Sequence, residues 1–347
     1  MSEFKKHKIN LGLIGLGRLG KVYARDLAHR IPHARLIAVA DVVAETAQQV
    51  AAEFEVPKWH ADSYALLEDN AIDAVVIVTP THTHKDLVIA AAQQQKAIFC
   101  EKPLSLSLAE SLEIKQILHQ TGVFFQMGFM RRFDRGYVAA QEKIQRGEIG
   151  TPVVFRATSR DPFRPSLEYA NPQSSGGLII DMGIHDFDLA RWFMGEIQTT
   201  YAIGGVLAYP EMKTVGDVDN AIISLNFVDG RLGVIDLSRN GVYGYDIATE
   251  LLGTNGTLRI GYLRETPVTV MTKNNIAHDT VPFFMERFAG AYVAQLEDFV
   301  DNLRYDRQPP VTIDDGIAAL RAALAATQSL QQKQAISVAS VGSDTIV

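Results

Sequence analysis

A single cysteine, Cys100, excludes an internal disulfide framework and fits a reducing compartment. Positive charge is also short: 33 Lys and Arg stand against 40 Asp and Glu, a formal net charge of −7. That balance argues against a nucleic-acid or anionic-membrane partner, and the small cluster Arg131, Arg132 and Arg135 does not reverse it. No apolar run reaches the ~20 residues of a membrane span. The opening MSEFKKHKIN carries lysines, but the apolar stretch after it holds a glycine motif instead of a signal-peptide core. The expectation is a cytoplasmic chain. Internal repeats and low-complexity segments are missing too. At 347 residues, 47% hydrophobic and 21% charged, the chain reads as globular and suits two domains, each with its own core.

What is present starts with a strand-like run, Ile9 to Ile14, followed by Gly15-Leu16-Gly17-Arg18-Leu19-Gly20 and the helical KVYARDLAHRI. A G-x-G-x-x-G between a strand and a helix predicts dinucleotide binding. Gly15 allows the tight turn, Gly17 lets the backbone approach a pyrophosphate, and Gly20 lets the helix sit close to the strand. The helix start, with Arg18 and Leu19, turns N–H groups and a positive dipole end towards the phosphates. A second strand, Arg35 to Ala40, ends in Asp41, about the ~20 residues on at which an acid bonds the adenosine ribose. That carboxylate accepts from a free 2′-hydroxyl and repels a 2′-phosphate. Val42 and Val43 follow and bring no cation, so the reading is NAD over NADP. The alternative for Asp41 is the N-cap of the next helix.

Strand and helix continue to alternate: helix 46–54, helix from Ser63 to Leu67, strand 73–79, helix 84–95, strand 97–100, helix 108–120 and strand 123–127. Ligands of doubly wound sheets bind outside the carboxyl ends of the strands, which puts Thr79, Pro80, Glu101 and Lys102 at the cofactor rim, with Lys102 at the nicotinamide end. His82 and His84 lack a Cys or acid at ligand spacing, so no metal is expected and a structural or cofactor contact is. The boundary is placed near Gly128: residues 1–128 bind the dinucleotide and 129–347 bind substrate and assemble the oligomer. The later region has strands 153–160, 199–207, 220–227, 231–238, 246–253 and 257–260, with hairpin turns at Asp229-Gly230 and Asn255-Gly256. Helices 287–304 and 314–332 follow, the first with an apolar stripe of Phe288, Tyr292, Leu296, Phe299 and Leu303. The tail from Ile336 reads as loosely held. The fold class expected is α/β: an N-terminal doubly wound Rossmann domain plus a C-terminal α+β domain with a large, mostly antiparallel open sheet. One face of such a sheet can be covered by helices and the other by a second subunit.

The stretch GLIIDMGIHDFDLARWFM, Gly177 to Met194, reads as one helix with Asp181, His185 and Asp188 in a stripe, Asp186 and Arg191 outside it, and apolar residues around most of the circumference. A helix apolar nearly all round is buried, and a buried acid and imidazole need partners. The plain reading makes Asp181 a helix cap and His185 a satisfied core histidine. Beside a dinucleotide site, the chemical reading is oxidation of a secondary alcohol. His185 takes the hydroxyl proton, Asp181 one turn away orients and stabilises the imidazolium, and Lys102 donates to the same oxygen. A surface ion pair with Glu101 is the alternative for Lys102.

The glycine motif, Cys100-Glu101-Lys102-Pro103, Gly128-Phe129-Met130-Arg131-Arg132-Phe133-Asp134, the Asp181-x-x-x-His185 segment and Tyr243-Gly244-Tyr245-Asp246 together resemble the Gfo/Idh/MocA oxidoreductases over roughly Lys8 to Ser337. MRRFD and YGYD resemble its inositol 2-dehydrogenase branch. The resemblance implies a Rossmann domain, a C-terminal open-sheet domain and a homotetramer. It implies NAD-dependent oxidation of myo- or scyllo-inositol to the keto form in inositol catabolism, with Lys102, Asp181 and His185 catalytic. Arg131, Ser159 and Tyr243 would line the polyol pocket; Thr79, His84, Glu101 and Lys102 would surround the cofactor. Ser159, in TSRDP, stands where some inositol dehydrogenases have His, so a pyranose or anhydrosugar substrate stays open. A non-catalytic dinucleotide-sensing regulator is the reading from another class.

Overall fold

A computed structural model describes residues 8–342 and Thr345; residues 1–7, which carry most of the lysine-bearing lead-in, lie outside the described residues. The chain divides into two compact units, Met1–Phe133 with Gly290–Ile317, and Asp134–Ala289 with Ala318–Val347. The division expected near Gly128 assigned everything beyond it to one domain; in the structure the chain divides after Phe133 and a later segment returns to the first unit.

In the first unit β1 (Ile9–Ile14), β2 (Ala34–Ala40), β3 (Lys58–His60), β4 (Ala74–Ile77), β5 (Ala97–Glu101) and β6 (Phe125–Gly128) form a parallel sheet in the order β3-β2-β1-β4-β5-β6. Leu11, Leu13, Val39, Val75, Val76, Ile98 and Phe99 are fully buried, as runs covered on both faces must be. The order reverses between β1 and β4, which defines the crevice where such sheets hold a ligand. The sequence reading lacked β3, three residues at an edge with Trp59 43% exposed and no apolar pattern to mark it.

The helix Ala289–Tyr305 explains the returning segment. Phe299 meets Phe99 of β5 edge to face, with ring centroids 5.7 Å apart; Tyr292 meets Tyr23 at 5.9 Å. Gln126 of β6 donates to Asp298 at 3.1 Å. Of the expected stripe, Tyr292, Leu296, Phe299 and Leu303 are buried on this helix and Phe288, also buried, lies just before its start; each aromatic ring so buried contributes roughly 1.5–3 kcal/mol.

The second unit is built on β7 (Pro152–Arg160), β8 (Ile197–Gly205), β9 (Asn220–Phe227), β10 (Leu232–Ser238), β11 (Asp246–Gly253) and β12 (Thr257–Ile260). A ribbon of β13 (Val270–Met271) and β14 (Ile276–Ala277) stands apart, and β15 (Ile336–Ser337) completes the large sheet. Its order is β12-β11-β7-β10-β9-β8-β15, and within it only β7 and β10 pair parallel. Both expected hairpins form, β9–β10 and β11–β12. The tail is not loose: β15 pairs antiparallel with β8, Ile336 and Val341 are buried, and four of the last five residues lie outside the described set. Two residues of pairing left too little periodicity to see in sequence. Along β7, Phe155, Ala157 and Ser159 are buried while Arg156 is exposed, the period-2 alternation of a sheet covered on one face. The helix Ile184–Met194 packs against the buried side of β7. On the other side Tyr201, Ile203, Ile222 and Leu232 are between 41% and 56% exposed.

Candidate active site

The glycine turn in the first unit is built as its spacing requires. Gly15 has φ +92°, and a Cβ there would fall 2.6 Å from the Val78 carbonyl oxygen; a Cβ on Gly20 would fall 2.0 Å from the Gly15 carbonyl oxygen. Side chains at either place would push the helix Arg18–His29 off β1. A Cβ on Gly17 would meet nothing, so the backbone there faces open space. The helix N-terminus carries no side-chain cap, leaving its N–H groups for an anion. Arg18 is exposed and Leu19 half-buried at this start.

Asp41, half-buried at the end of β2, accepts from the Leu16 N–H at 2.8 Å through Oδ2 and from the Val43 N–H at 2.9 Å through Oδ1. It is not the helix N-cap; Val43 holds that place. Its carboxylate anchors the glycine turn, and Val42 and Val43 beside it are 86% and 53% exposed. Thr79 is half-buried and Pro80 exposed at the end of the next strand, with the Thr83 hydroxyl donating to Thr79 Oγ1 at 2.6 Å.

His84 and Glu101 turn inward. His84 is 1% exposed, with Nδ1 2.8 Å from the Pro103 carbonyl oxygen and Nε2 2.9 Å from that of Thr79. Its ring ties the loop after β4 to the loop after β5, and burial pushes its pKa down. The Glu101 carboxylate, 6% exposed, accepts from the Tyr23 hydroxyl, from Gln295 Nε2 at 3.3 Å and from the Lys102 N–H at 3.2 Å. Burial raises its pKa and raises that of Tyr23 well above the ordinary phenol. Both residues therefore hold the rim together from behind, a duty their strand-end addresses could not distinguish from ligand contact. Lys102 is half-buried at the end of β5, and Arg131 is buried in the turn Met130–Phe133.

In the second unit, Gly177 to Met194 is not one helix. It is two, Gly177–Asp181 and Ile184–Met194, joined through Met182 and Gly183. A Cβ on Gly183 would lie 2.4 Å from the Ile179 carbonyl oxygen and 2.9 Å from Leu237, so the turn tightens where the segment presses on β10. Asp181 ends the first helix and does not cap it. Its carboxylate accepts from the Tyr169 hydroxyl at 3.0 Å and pairs with the wholly buried Arg239 at 3.4 Å. His185 is 7% exposed and Asp188 1%. Asp186, set aside as an exception in the sequence pattern, is fully buried and accepts from the Ser159 hydroxyl at 2.7 Å.

Ser159 and Tyr243, expected in one pocket, belong to opposite faces of the large sheet. Ser159 is buried beneath the helix Ile184–Met194. The Tyr243 hydroxyl donates to Asp246 at 2.8 Å and accepts from Arg160 at 2.9 Å on the uncovered face. Sequence reasoning missed Tyr23, Gln295, Asp186, Asp217 and Arg239. Each is a polar residue buried by a partner at least 27 positions away, and no local pattern announces that.

Among the described residues, no group of His, Cys, Asp and Glu side chains is arranged to hold a metal ion, and no helix is long and apolar enough to cross a membrane. A doubly wound sheet with a phosphate-type glycine turn and an acid at the end of its second strand, in a chain whose other unit buries an acid–imidazole turn, defines a dinucleotide-binding oxidoreductase. More closely, the chain belongs to the Gfo/Idh/MocA oxidoreductase family: residues 9–129 match its NAD-binding Rossmann fold and residues 141–338 its C-terminal alpha/beta domain.

Among its relatives, a scyllo-inositol 2-dehydrogenase (NAD(+)) of Bacillus subtilis is 42% identical, over 94% of this chain and 95% of its own. A myo-inositol 2-dehydrogenase of Thermotoga maritima is 40% identical, over 96% and 99%. The crystal structure of a Lactobacillus casei scyllo-inositol dehydrogenase with bound NAD(H) and scyllo-inositol is 34% identical with a TM-score of 0.92, covering 96% of this chain and 100% of that one.

Proposed function

We propose that this protein is an NAD-dependent inositol 2-dehydrogenase, oxidising one secondary hydroxyl of myo- or scyllo-inositol to the keto form. One observation carries the reading. A chain with 40–42% identity to inositol 2-dehydrogenases over nearly its whole length also has a turn whose Gly17 backbone faces open space, the opening a pyrophosphate requires. The Gly15–Gly20 turn, with Arg18 and Leu19, would hold the pyrophosphate, and Asp41 the adenosine ribose. Thr79, Pro80 and the Lys102 loop would border the nicotinamide. NAD, when bound, supplies the acceptor for the hydride.

The remaining work falls to this chain's side chains. Alcohol oxidation releases a proton from oxygen as the hydride leaves carbon. His185 takes that proton, and its imidazole has the basicity to do so near neutrality. The Asp181 carboxylate opposes the charge that His185 gains. Lys102 donates a hydrogen bond to the hydroxyl oxygen and steadies it as its proton departs. Arg131 carries donors a polyol needs, while the Tyr243 hydroxyl, on the uncovered sheet face, is engaged by Arg160 and Asp246. Ser159 acts through Asp186, to which its hydroxyl is committed.

The second unit is the substrate and assembly domain. The exposed Tyr201, Ile203 and Ile222 on the uncovered sheet face support burial against further copies in a homotetramer. A single buried cysteine supports a reducing, cytoplasmic setting, and the inositol 2-dehydrogenases among the relatives support a place in inositol catabolism. Initial rates with myo-, scyllo- and chiro-inositol, glucose and an anhydrosugar, each with NAD and NADP, test the function. Turnover should be highest with an inositol and NAD. Preference for a pyranose would move the substrate, and no turnover with any of them would leave a dinucleotide-sensing regulator.

A further inference from the structure

Behind Asp181 lies a second carboxylate. Asp217, on the loop before β9, is 8% exposed, and both its oxygens accept from the Leu178 N–H, at 3.2 and 3.0 Å. It therefore caps the helix Gly177–Asp181 from 39 positions away, while the residue at the N-cap itself, Gly176, contributes no side chain. The approach is close: Gly177 has φ +70°, and a Cβ there would fall 2.8 Å from Asp217 Oδ1. Arg239, 1% exposed, pairs with Asp181, and its charge also acts on Asp217.

Charged and titratable groups from several elements bear on this turn. Tyr169 comes from the helix Leu167–Ala170, Arg239 from the segment after β10, and Asp217 from the loop before β9. Asp181, His185, Asp186 and Asp188 lie on the turn and the helix after it. One buried guanidinium thus serves two carboxylates. A neutral serine or asparagine would cap Leu178 as well, so a buried charge there is a cost that capping alone does not require.

We propose that Asp217 and Arg239 are positioning residues for the Asp181–His185 turn, fixing where its helix begins and setting the charge against which His185 takes a proton. The inference rests on His185 being the base. A negative charge nearby raises an imidazole's pKa and a positive one lowers it. Asp217 reaches the turn through the Leu178 N–H and Arg239 through the Asp181 carboxylate, and burial pushes the Asp217 carboxyl up to about 6, so its charge changes across the range in which an imidazole titrates.

The test is the pH profile of kcat/KM for inositol and NAD in the wild type, Asp217→Asn, Arg239→Gln and Arg239→Lys. Asparagine keeps an acceptor for the Leu178 N–H and removes the charge, so the acid limb should move to lower pH by about half a unit or more. Arg239→Gln should move it the other way by a similar amount, and Arg239→Lys should restore it. Affinity for NAD should change less than about twofold, since the positioning acts on proton transfer and not on the cofactor. If Asp217→Asn leaves the limb in place and only lowers thermal stability, the cap is merely structural and the proposal is overturned. Should Arg239→Gln fail to fold, Asp217→Asn and Arg239→Lys decide. Should the wild type turn over no polyol, the proposed function falls. The inference would then be read from the His185 imidazole resonance, whose pKa must drop in Asp217→Asn or the inference falls as well.

Discussion

Replacing Asp41 separates two duties that one carboxylate performs. Its Oδ2 accepts from the N–H of Leu16, a residue 1% exposed, and its Oδ1 from the N–H of Val43. In the proposed complex it also accepts from the ribose. A buried N–H left without an acceptor costs about 1–3 kcal/mol, and a hydrogen bond to a charged group contributes about 1.5–3 kcal/mol. Asp41→Asn keeps one oxygen for Leu16 and loses the charge. KM for NAD should rise roughly 10–100-fold, because about 1.4 kcal/mol is a factor of ten. NADP should gain relative to NAD, since the 2′-phosphate no longer meets a carboxylate. Asp41→Ala also frees the glycine turn, so both cofactors should weaken and the melting temperature should fall below that of Asp41→Asn. Steady-state kcat/KM for both cofactors, with calorimetry of the free proteins, reads each part. An unchanged NAD-to-NADP ratio in Asp41→Asn would refute the ribose role. Equal stability of the two variants would refute the anchoring of the turn.

His185→Ala should lower kcat by roughly 10² or more while NAD still binds, as a general base contributes about that much; cofactor fluorescence and turnover together check it. Burial raises the Asp217 carboxyl from 3.8 to about 6, so its contribution to stability is complete below the unfolded value and lost as pH rises through 6. Asp217→Asn cannot ionise and should gain on the wild type by roughly 3 kcal/mol between about pH 4 and about pH 8, measured by urea unfolding; a difference independent of pH would contradict the shift. Phe299→Ala removes a fully buried ring packed on Phe99 and Phe124 and should cost about 3–5 kcal/mol in the first unit.

The sequence was most informative where chemistry is local. Gly15, Gly17 and Gly20 declare their turn because each spacing has one steric reason, and the strand boundaries of β1, β9, β11 and β12 follow from alternation and hairpin glycines. The stripe on the helix Ala289–Tyr305 was legible, but not that it returns to the first unit and packs on β5 there, since periodicity says which face is buried and not against what. The break at Gly183 hid inside a helical pattern because its cause is a neighbouring strand. Asp186 was set aside because a charge among apolar residues looks exposed until Ser159 is seen beneath it. His84 and Glu101 were expected at the cofactor rim, His84 as a structural or cofactor contact; strand ends locate a residue, and only packing shows that these two turn inward.

The most direct measurement uses myo- and scyllo-inositol deuterated at every ring carbon, mixed with the protein and NAD. Deuterium should appear on the nicotinamide of the reduced cofactor, one atom for each keto-inositol formed, and Lys102→Ala, Asp181→Ala and His185→Ala should each suppress the transfer. Reduced cofactor without the label, or full transfer in all three variants, would contradict the account.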